Sequence, residues 1–185
     1  MGTTEFDVAY RHLLAAAGAI SVTTPLAADL RSDIDWTLSH IALSDRILAA
    51  AARDVLTGLP VIVDNRNAMD DTAIRSLVAS TTHTQRVDLV SRNAADLGAV
   101  IRATPDHAAD MPVKLHLVGR DGQPVPEQRL SWGDLLRLRA TEHLPGHTER
   151  LRLLASAEWS ALTTARGRPF VSGSQPASAP VLPGQ

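Results

Sequence analysis

Two histidines four residues apart give the clearest chemical signal in this sequence. His143 and His147 lie in the stretch EHLPGH, residues 142–147. In a helix, side chains four residues apart lie side by side on one face, so both imidazoles can reach the same ion. The stretch is not the zinc-protease motif HExxH, because Leu144 stands where that motif has its general base. These residues therefore predict metal binding without predicting a protease.

A third histidine can complete such a site from another helix. His40 falls on an apolar stripe with Trp36, Leu43 and Ile47, so its imidazole is predicted to face the core. Three neutral imidazoles would leave at least one metal position open for a water or for a substrate oxygen or sulfur. The alternative is that all three are ordinary helix or core residues. The joint pattern favours a metal site made of His40, His143 and His147.

Composition excludes several classes of protein. The chain has 185 residues, of which 44% are hydrophobic, which suits one domain. There is no cysteine, so thiolate ligands, cysteine nucleophiles and disulfides are excluded. A net charge of -2 without a basic block makes nucleic acid an unexpected partner. The sequence has neither a signal-peptide pattern at residues 1–7 nor a long apolar run, so we expect no membrane contact and a cytoplasmic location.

Apolar residues recurring at three- and four-residue steps predict four helices. The first predicted helix covers residues 4–21, and the second covers residues 36–57, with Asp35 as its N-cap. The third runs from a cap at residues 70–71 to residue 103, with a kink near residues 81–84, and the fourth covers residues 131–162. The alternating pattern at 113–118, a turn and a returning edge strand at 125–130 predict a hairpin, with 61–68 as a plain connection. The predicted fold class is all-α, a four-helix bundle over residues 1–165 with a small β-hairpin before the last helix. Gly, Pro, Ser and Ala dominate residues 166–185, which predicts a disordered or extended tail.

A proline lies between the two histidines of the last helix. Pro145 removes one backbone hydrogen bond, and its ring would clash with the carbonyl of Thr141. We therefore expect a kink between His143 and His147.

The segments DWTLSHI, residues 35–41, and EHLPGH, residues 142–147, resemble the two signature regions of the DinB/YfiT-like superfamily. The resemblance covers about residues 5–160. It implies a four-helix bundle, often dimeric, in which one histidine of the second helix and an H-x3-H pair of the last helix hold a divalent metal. The matching positions are His40, His143 and His147. Zinc is the expected metal, with nickel or iron as alternatives.

The activity implied by the resemblance is that of a metal-dependent enzyme acting on a small molecule. Members include S-transferases that use mycothiol, bacillithiol or glutathione, a mycothiol-dependent isomerase and metal hydrolases. We expect transfer of a low-molecular-weight thiol, of the mycothiol type, to an electrophile. A metal-dependent hydrolase or isomerase is one alternative, and a non-catalytic metal- or ligand-binding stress-response protein is another.

Other polar residues carry weaker predictions. Arg66 could bind a substrate carboxylate by a bidentate contact, although a solvated loop is the alternative. Arg86 and Arg92 are predicted to be surface charges. His83, in a polar stretch, is expected either to face a cavity or to mark an exposed kink. The remaining histidines lack helical partners and are expected to be structural: His12, His107 and His116.

Overall fold

The computed structural model describes residues 3–20, 27–126 and 128–166, with side chains described as far as 156. This part of the chain is mostly helical and contains a small three-stranded sheet. The helices are α1 (Thr4–Gly18), α2 (Ala28–Thr57), α3 (Arg66–Met69), α4 (Asp71–Ser80), α5 (His83–Ala103), α6 (Trp132–Leu138) and α7 (Leu144–Arg166). The strands are β1 (Val61–Asp64), β2 (Pro112–His116) and β3 (Leu130–Ser131).

The four longest helices enclose the main apolar core. Both α1 and α2 pack against α5 and α7, so each long helix contacts two others. α1 contributes a buried stripe that includes Phe6, Leu13 and Ala17, as its three- and four-residue spacing predicts. α2 is buried along most of its length and ends at Gly58, whose φ of 71° provides the left-handed C-cap predicted for that position. The sequence therefore predicted these helix faces correctly.

The start of α2 differs from the prediction. The helix begins at Ala28, and Asp35 lies inside it, where it binds Arg86 of α5 at 2.5 Å. The prediction that Arg86 is a surface charge is therefore wrong, whereas Arg92 is exposed as predicted. A buried guanidinium is tolerated here because Asp35 compensates its charge and its Nη1 donates to the carbonyl oxygens of Val78 and Thr81 and to the hydroxyl group of Thr81.

The third predicted helix is two helices, α4 and α5. Asp70 caps α4 as expected, but Thr81 adopts extended backbone and ends it. Thr82 then caps α5 through a capping box with Gln85, which gives a clean restart where the sequence predicted only a kink. His83 follows this cap. Its side chain is buried, and its Nε2 donates to the carbonyl oxygen of Ala17 at 3.1 Å, which joins α5 to α1. His83 therefore neither faces a cavity nor marks an exposed kink, which were the two predicted positions.

The sheet is larger than the predicted hairpin. β1 pairs with β2 in parallel, and β2 pairs with β3 antiparallel. Of the returning strand predicted at residues 125–130, only Leu130 belongs to a strand in the described chain, as the first residue of β3. The prediction of a plain connection at residues 61–68 is wrong, because this segment supplies β1 and α3. β1 is only four residues long and alternates buried Val61 and Val63 with exposed Ile62. A pattern this short is easily overlooked when its partner strand lies so far along the chain.

Pro145 is accommodated by a wide turn. Residues Arg139–His143 form a π-helical segment between α6 and α7, in which the Leu144 N–H donates to Arg139 O, five residues back. The extra residue in this turn relieves the clash expected between the proline ring and the Thr141 carbonyl. The irregular segment is a π-bulge that ends at His143, whereas Leu144–Arg166 is α-helical, so the distortion lies before the interval between His143 and His147 where a kink was predicted.

Two further predictions bear on the ends and surroundings of the chain. The predicted tail at residues 166–185 lies outside the described residues except for Arg166, the last residue of α7. Within the described part of the chain, no helix combines the length and the apolar character needed to cross a membrane.

Candidate metal centre

His40, His143 and His147 come together as the sequence predicts. One nitrogen of each ring lies within 4.8 Å of the others, and no other group of three or more such ligands is found among the described residues. The Nε2 atoms of His40 and His143 are 3.3 Å apart, and the ring centres of His143 and His147 are 4.6 Å apart. α2, the π-helical segment and α7 each supply one ring. Residues distant in sequence thus form one cluster of imidazoles.

His40 is held in a defined tautomer. Its Nδ1 lies 2.9 Å from the carbonyl oxygen of Ala68, which can only accept a hydrogen bond, so Nδ1 carries the proton. Nε2 is therefore left with a lone pair directed toward His143. Trp36 stacks on the imidazole at 5.0 Å, and Arg120 lies 4.3 Å above the indole ring, which fixes the ring plane. This backbone hydrogen bond is the support that metal-binding histidines usually have.

The environment keeps the three imidazoles neutral. Burial lowers the pKa of His40 to about 4 and that of His147 to about 3. The pKa of His143 is lowered further, by burial first and then by the nearby charge of Arg139. Because metals bind the neutral ring, all three side chains have the charge state that metal binding requires at neutral pH.

The donor set fits a single divalent ion. Two nitrogens bound to one zinc at about 2.1 Å and a tetrahedral angle are about 3.4 Å apart, which the 3.3 Å between His40 and His143 matches. The widest separation, up to 4.8 Å, has to shorten when an ion is bound. Neutral nitrogen donors without a carboxylate suit zinc, nickel or iron better than magnesium or calcium.

A buried charge network lies behind the histidines. Asp45 of α2 is fully buried, and its Oδ1 accepts hydrogen bonds from Arg139 Nη2 and from the hydroxyl group of Tyr10. Burial raises the pKa of the Asp45 carboxyl group, and the charge of Arg139 opposes this rise. Burial also raises the pKa of Tyr10, so its hydroxyl group stays protonated and donates. The network fixes the guanidinium of Arg139 beside the imidazole cluster.

Arg139 also contacts one of the predicted ligands. Its Nη1 donates to Nδ1 of His143 at 3.1 Å. The neutral ring of His143 then carries its proton on Nε2, from which it can donate to His40 Nε2 at 3.3 Å. A metal bound through His143 Nε2 would take the place of that proton. Arg139 therefore influences which nitrogen of His143 is available.

A cavity of about 160 Å³ opens beside the cluster. Its polar lining residues are His40, Ser44, Asn65, Arg139 and His143. The remaining lining is aliphatic: Ile47, Leu48, Val63, Leu117, Leu135 and Leu138. The site therefore combines candidate metal ligands with an apolar chamber for a small molecule.

The structure places Arg66 outside this cavity. Its side chain is 70% exposed and pairs with Asp64 two residues earlier. It is not among the residues that line the chamber, whereas its neighbour Asn65 is. The role of Arg66 in binding a substrate carboxylate stays a prediction.

Arg139, Asp45 and Tyr10 belong to this site but were not predicted from the sequence. Arg139 could have been found, because it precedes His143 by four residues, the same spacing that joins His143 to His147. Asp45 and Tyr10 give no comparable signal, since their partner Arg139 is distant in sequence. Comparison with models of known protein families, with curated protein sequences and with solved structures finds no match.

Proposed function

We propose that this chain is a divalent-metal-dependent enzyme of the DinB-like kind, which transfers a low-molecular-weight thiol to a small electrophile. One observation carries the proposal: three neutral histidines converge, and two of them, His40 and His143, line a cavity whose other walls are mostly aliphatic. A purely structural metal site is closed by protein ligands, whereas a catalytic site keeps a position open beside a substrate chamber.

The helix arrangement supports the DinB-like assignment. In that superfamily the ligands come from the second and last long helices of a bundle. Here His40 lies on α2, and His147 lies on α7 with His143 in the turn directly before it. The four long helices contact one another in the pattern that a four-helix bundle requires.

Each protein group near the cluster has a defined task in this proposal. Ala68 O orients His40, and Asp45 holds Arg139 in place. A bound divalent metal would act as a Lewis acid and lower the pKa of a coordinated thiol. Arg139 then offers N–H donors to negative charge that develops on the electrophile, and the aliphatic walls exclude water from it.

Metal content is the first test of this proposal. Purified wild-type protein is expected to bind about one equivalent of zinc, as three convergent imidazoles imply, when measured by plasma mass spectrometry after dialysis. His143→Ala/His147→Ala should bind none. His12→Ala/His116→Ala removes two exposed histidines and is the matched control that should bind as much as wild type. Equal and negligible zinc, nickel and iron in all three proteins would refute the metal centre.

The reaction type needs a second test. Metal-loaded protein is incubated with a low-molecular-weight thiol and an aryl halide, and thioether formation is followed by mass spectrometry. We expect thioether only with metal and with both histidines present. Parallel incubation of an aryl ester without thiol tests hydrolysis, and ester cleavage without thioether formation would replace the transferase proposal with a metal hydrolase.

A further inference from the structure

With a divalent ion bound, the residues around the cavity would carry too little negative charge to compensate it, which would favour an anionic occupant. Three neutral imidazoles would leave both charges of a divalent ion uncompensated. Among the described residues, none that lines the cavity is acidic, and the nearest buried carboxylate, Asp45, is already paired with Arg139. The thiolate of the proposed function would compensate one of these charges, and a cavity occupant that carries a negative charge would compensate the other.

Arg139 has hydrogen-bonding capacity that the protein does not use. Among the described residues, its buried Nε has no acceptor, and its Nη1 is hydrogen-bonded only to His143. If His143 ligates through Nε2, its neutral ring carries the proton on Nδ1, and that N–H would then face the N–H of Arg139. Nη1 must then turn to a different acceptor. A carboxylate in the cavity can accept from it, with Ser44 and Asn65 as further polar neighbours.

The size and walls of the cavity limit the rest of the molecule. A cavity of about 150 Å³ lined by aliphatic residues is large enough to hold one benzene molecule. The volume here is about 160 Å³, and six aliphatic side chains line it. A sugar-containing thiol such as mycothiol is far too large for this space, so the chamber suits the electrophile.

We infer, on the basis of the proposed function, that the electrophilic substrate is a compact monocarboxylate. Its hydrocarbon part is about the size of one unsubstituted six-membered ring. The hydrocarbon lies between Ile47, Leu135 and Leu138, and the carboxylate points toward Arg139 and the metal ligands. The aliphatic walls of the cavity thus limit the size of the substrate, and Arg139 selects its negative charge.

Binding of three probe molecules tests this inference without requiring turnover. Benzoate, the neutral benzamide of the same shape and the larger 1-naphthoate are titrated by calorimetry into zinc-loaded and metal-free protein. Loss of a charge-assisted hydrogen bond weakens binding about tenfold or more, so benzamide should bind that much more weakly than benzoate. 1-Naphthoate should bind more weakly than benzoate, because its second ring does not fit inside the chamber and would have to protrude from its opening.

Variants of the wall locate the binding. Leu135→Trp fills the chamber and should abolish benzoate binding, and Leu138→Trp, nearer the surface, is a second variant in case the first does not fold. Leu153→Trp is the matched control on an exposed position of α7 and should bind benzoate like wild type. Equal binding of the three probes, or equal loss in all three variants, would overturn the inference.

The outcomes separate the inference from the proposed function. If zinc binds but benzoate is not preferred over benzamide, the substrate class is wrong and the metal centre stands. If zinc does not bind and benzoate is still preferred, the metal-dependent function is refuted and Arg139 alone selects the carboxylate. If neither occurs, both are refuted.

Discussion

Two buried ion pairs join α2 to other parts of the molecule, and they differ in what the arginine does with its second nitrogen. Asp35 pairs with Arg86, whose Nη1 donates to the carbonyl oxygens of Val78 and Thr81. Asp45 pairs with Arg139, whose Nη1 donates to the imidazole of His143. Nη1 of Arg86 therefore binds two backbone carbonyl groups and the hydroxyl group of Thr81, none of which is a predicted metal ligand, whereas Nη1 of Arg139 binds a side chain that can hold a metal.

A buried aspartate–arginine pair thus stabilises the fold at Asp35–Arg86 and positions a side chain of the candidate site at Asp45–Arg139. The carbonyl groups that Arg86 binds belong to the junction of α4 and α5, so its hydrogen bonds hold two helices together. His143, the partner of Arg139, can exchange its proton for a metal, and the buried Oδ2 of Asp45 has no donor in the part of the chain that the structure describes. The pair beside the histidines can therefore rearrange.

Removal of Arg139 is expected to have the largest effect. Arg139→Met leaves the fully buried Asp45 without its cation, which should lower the free energy of unfolding by about 3–5 kcal/mol. Urea denaturation measures this loss in the free energy of unfolding. Arg86→Met should destabilise the protein less, because the side chain of Asp35 keeps 12% exposure. Asp45→Leu/Arg139→Met should recover most of the loss, and a double variant as unstable as the single one would show that charge is not the cause.

Acid should weaken the histidine region. The folded pKa values of His40 and His147, about 4 and about 3, lie below the ordinary value of 6.5. Below pH 6.5 these two imidazoles are therefore protonated in the unfolded chain while they stay neutral in the folded protein. Each of these two histidines should lower the free energy of unfolding by up to about 1.4 kcal/mol per pH unit, from pH 6.5 down to its folded pKa.

Urea titrations of metal-free protein across this pH range measure the slope. His143→Ala/His147→Ala should flatten it, because those two rings no longer contribute. Above pH 6.5 the three histidines should leave stability unchanged. A wild-type slope equal to that of the double variant would mean that the two rings are not protected from protonation.

Replacement of the other ion pair should have a smaller effect that is confined to stability. Asp35→Leu/Arg86→Met removes both charges together, so no buried charge is left alone. What remains is the loss of hydrogen bonds to the carbonyl groups of the α4–α5 junction, worth about 1–2 kcal/mol. Zinc content should not change. A loss of zinc would show that the two pairs are coupled through α2 and would end the distinction drawn between them.

Local spacing accounts for the parts of the site that the sequence predicts. His143 and His147 are related by one helical turn, and His40 shares an apolar stripe with its neighbours. Each position can be assigned to a helix face without knowledge of any other helix. The same reasoning reaches Arg139, which repeats the four-residue spacing before His143.

Long-range pairing accounts for what the sequence does not predict. Arg86 looks like a surface charge because its partner Asp35 lies 51 residues away on another helix. β1 looks like a loop because four residues cannot show a pattern, and its pairing with β2 crosses three intervening helices. In both cases the deciding partner becomes a neighbour only when the helices pack.

Removal of Arg66 is expected to have the smallest effect, and it decides which arginine binds a carboxylate. Arg66 is exposed and its guanidinium is bound by Asp64 of the same loop, whereas Arg139 lines the cavity. Arg66→Ala should therefore leave zinc content and benzoate affinity as in wild type, measured by the same calorimetric titration. If benzoate affinity falls as far as it does in Leu135→Trp, the carboxylate is bound by Arg66, as the sequence predicts. In that case the ligand must extend from the cavity past Asn65 to the surface, and the negative charge would not lie beside Arg139.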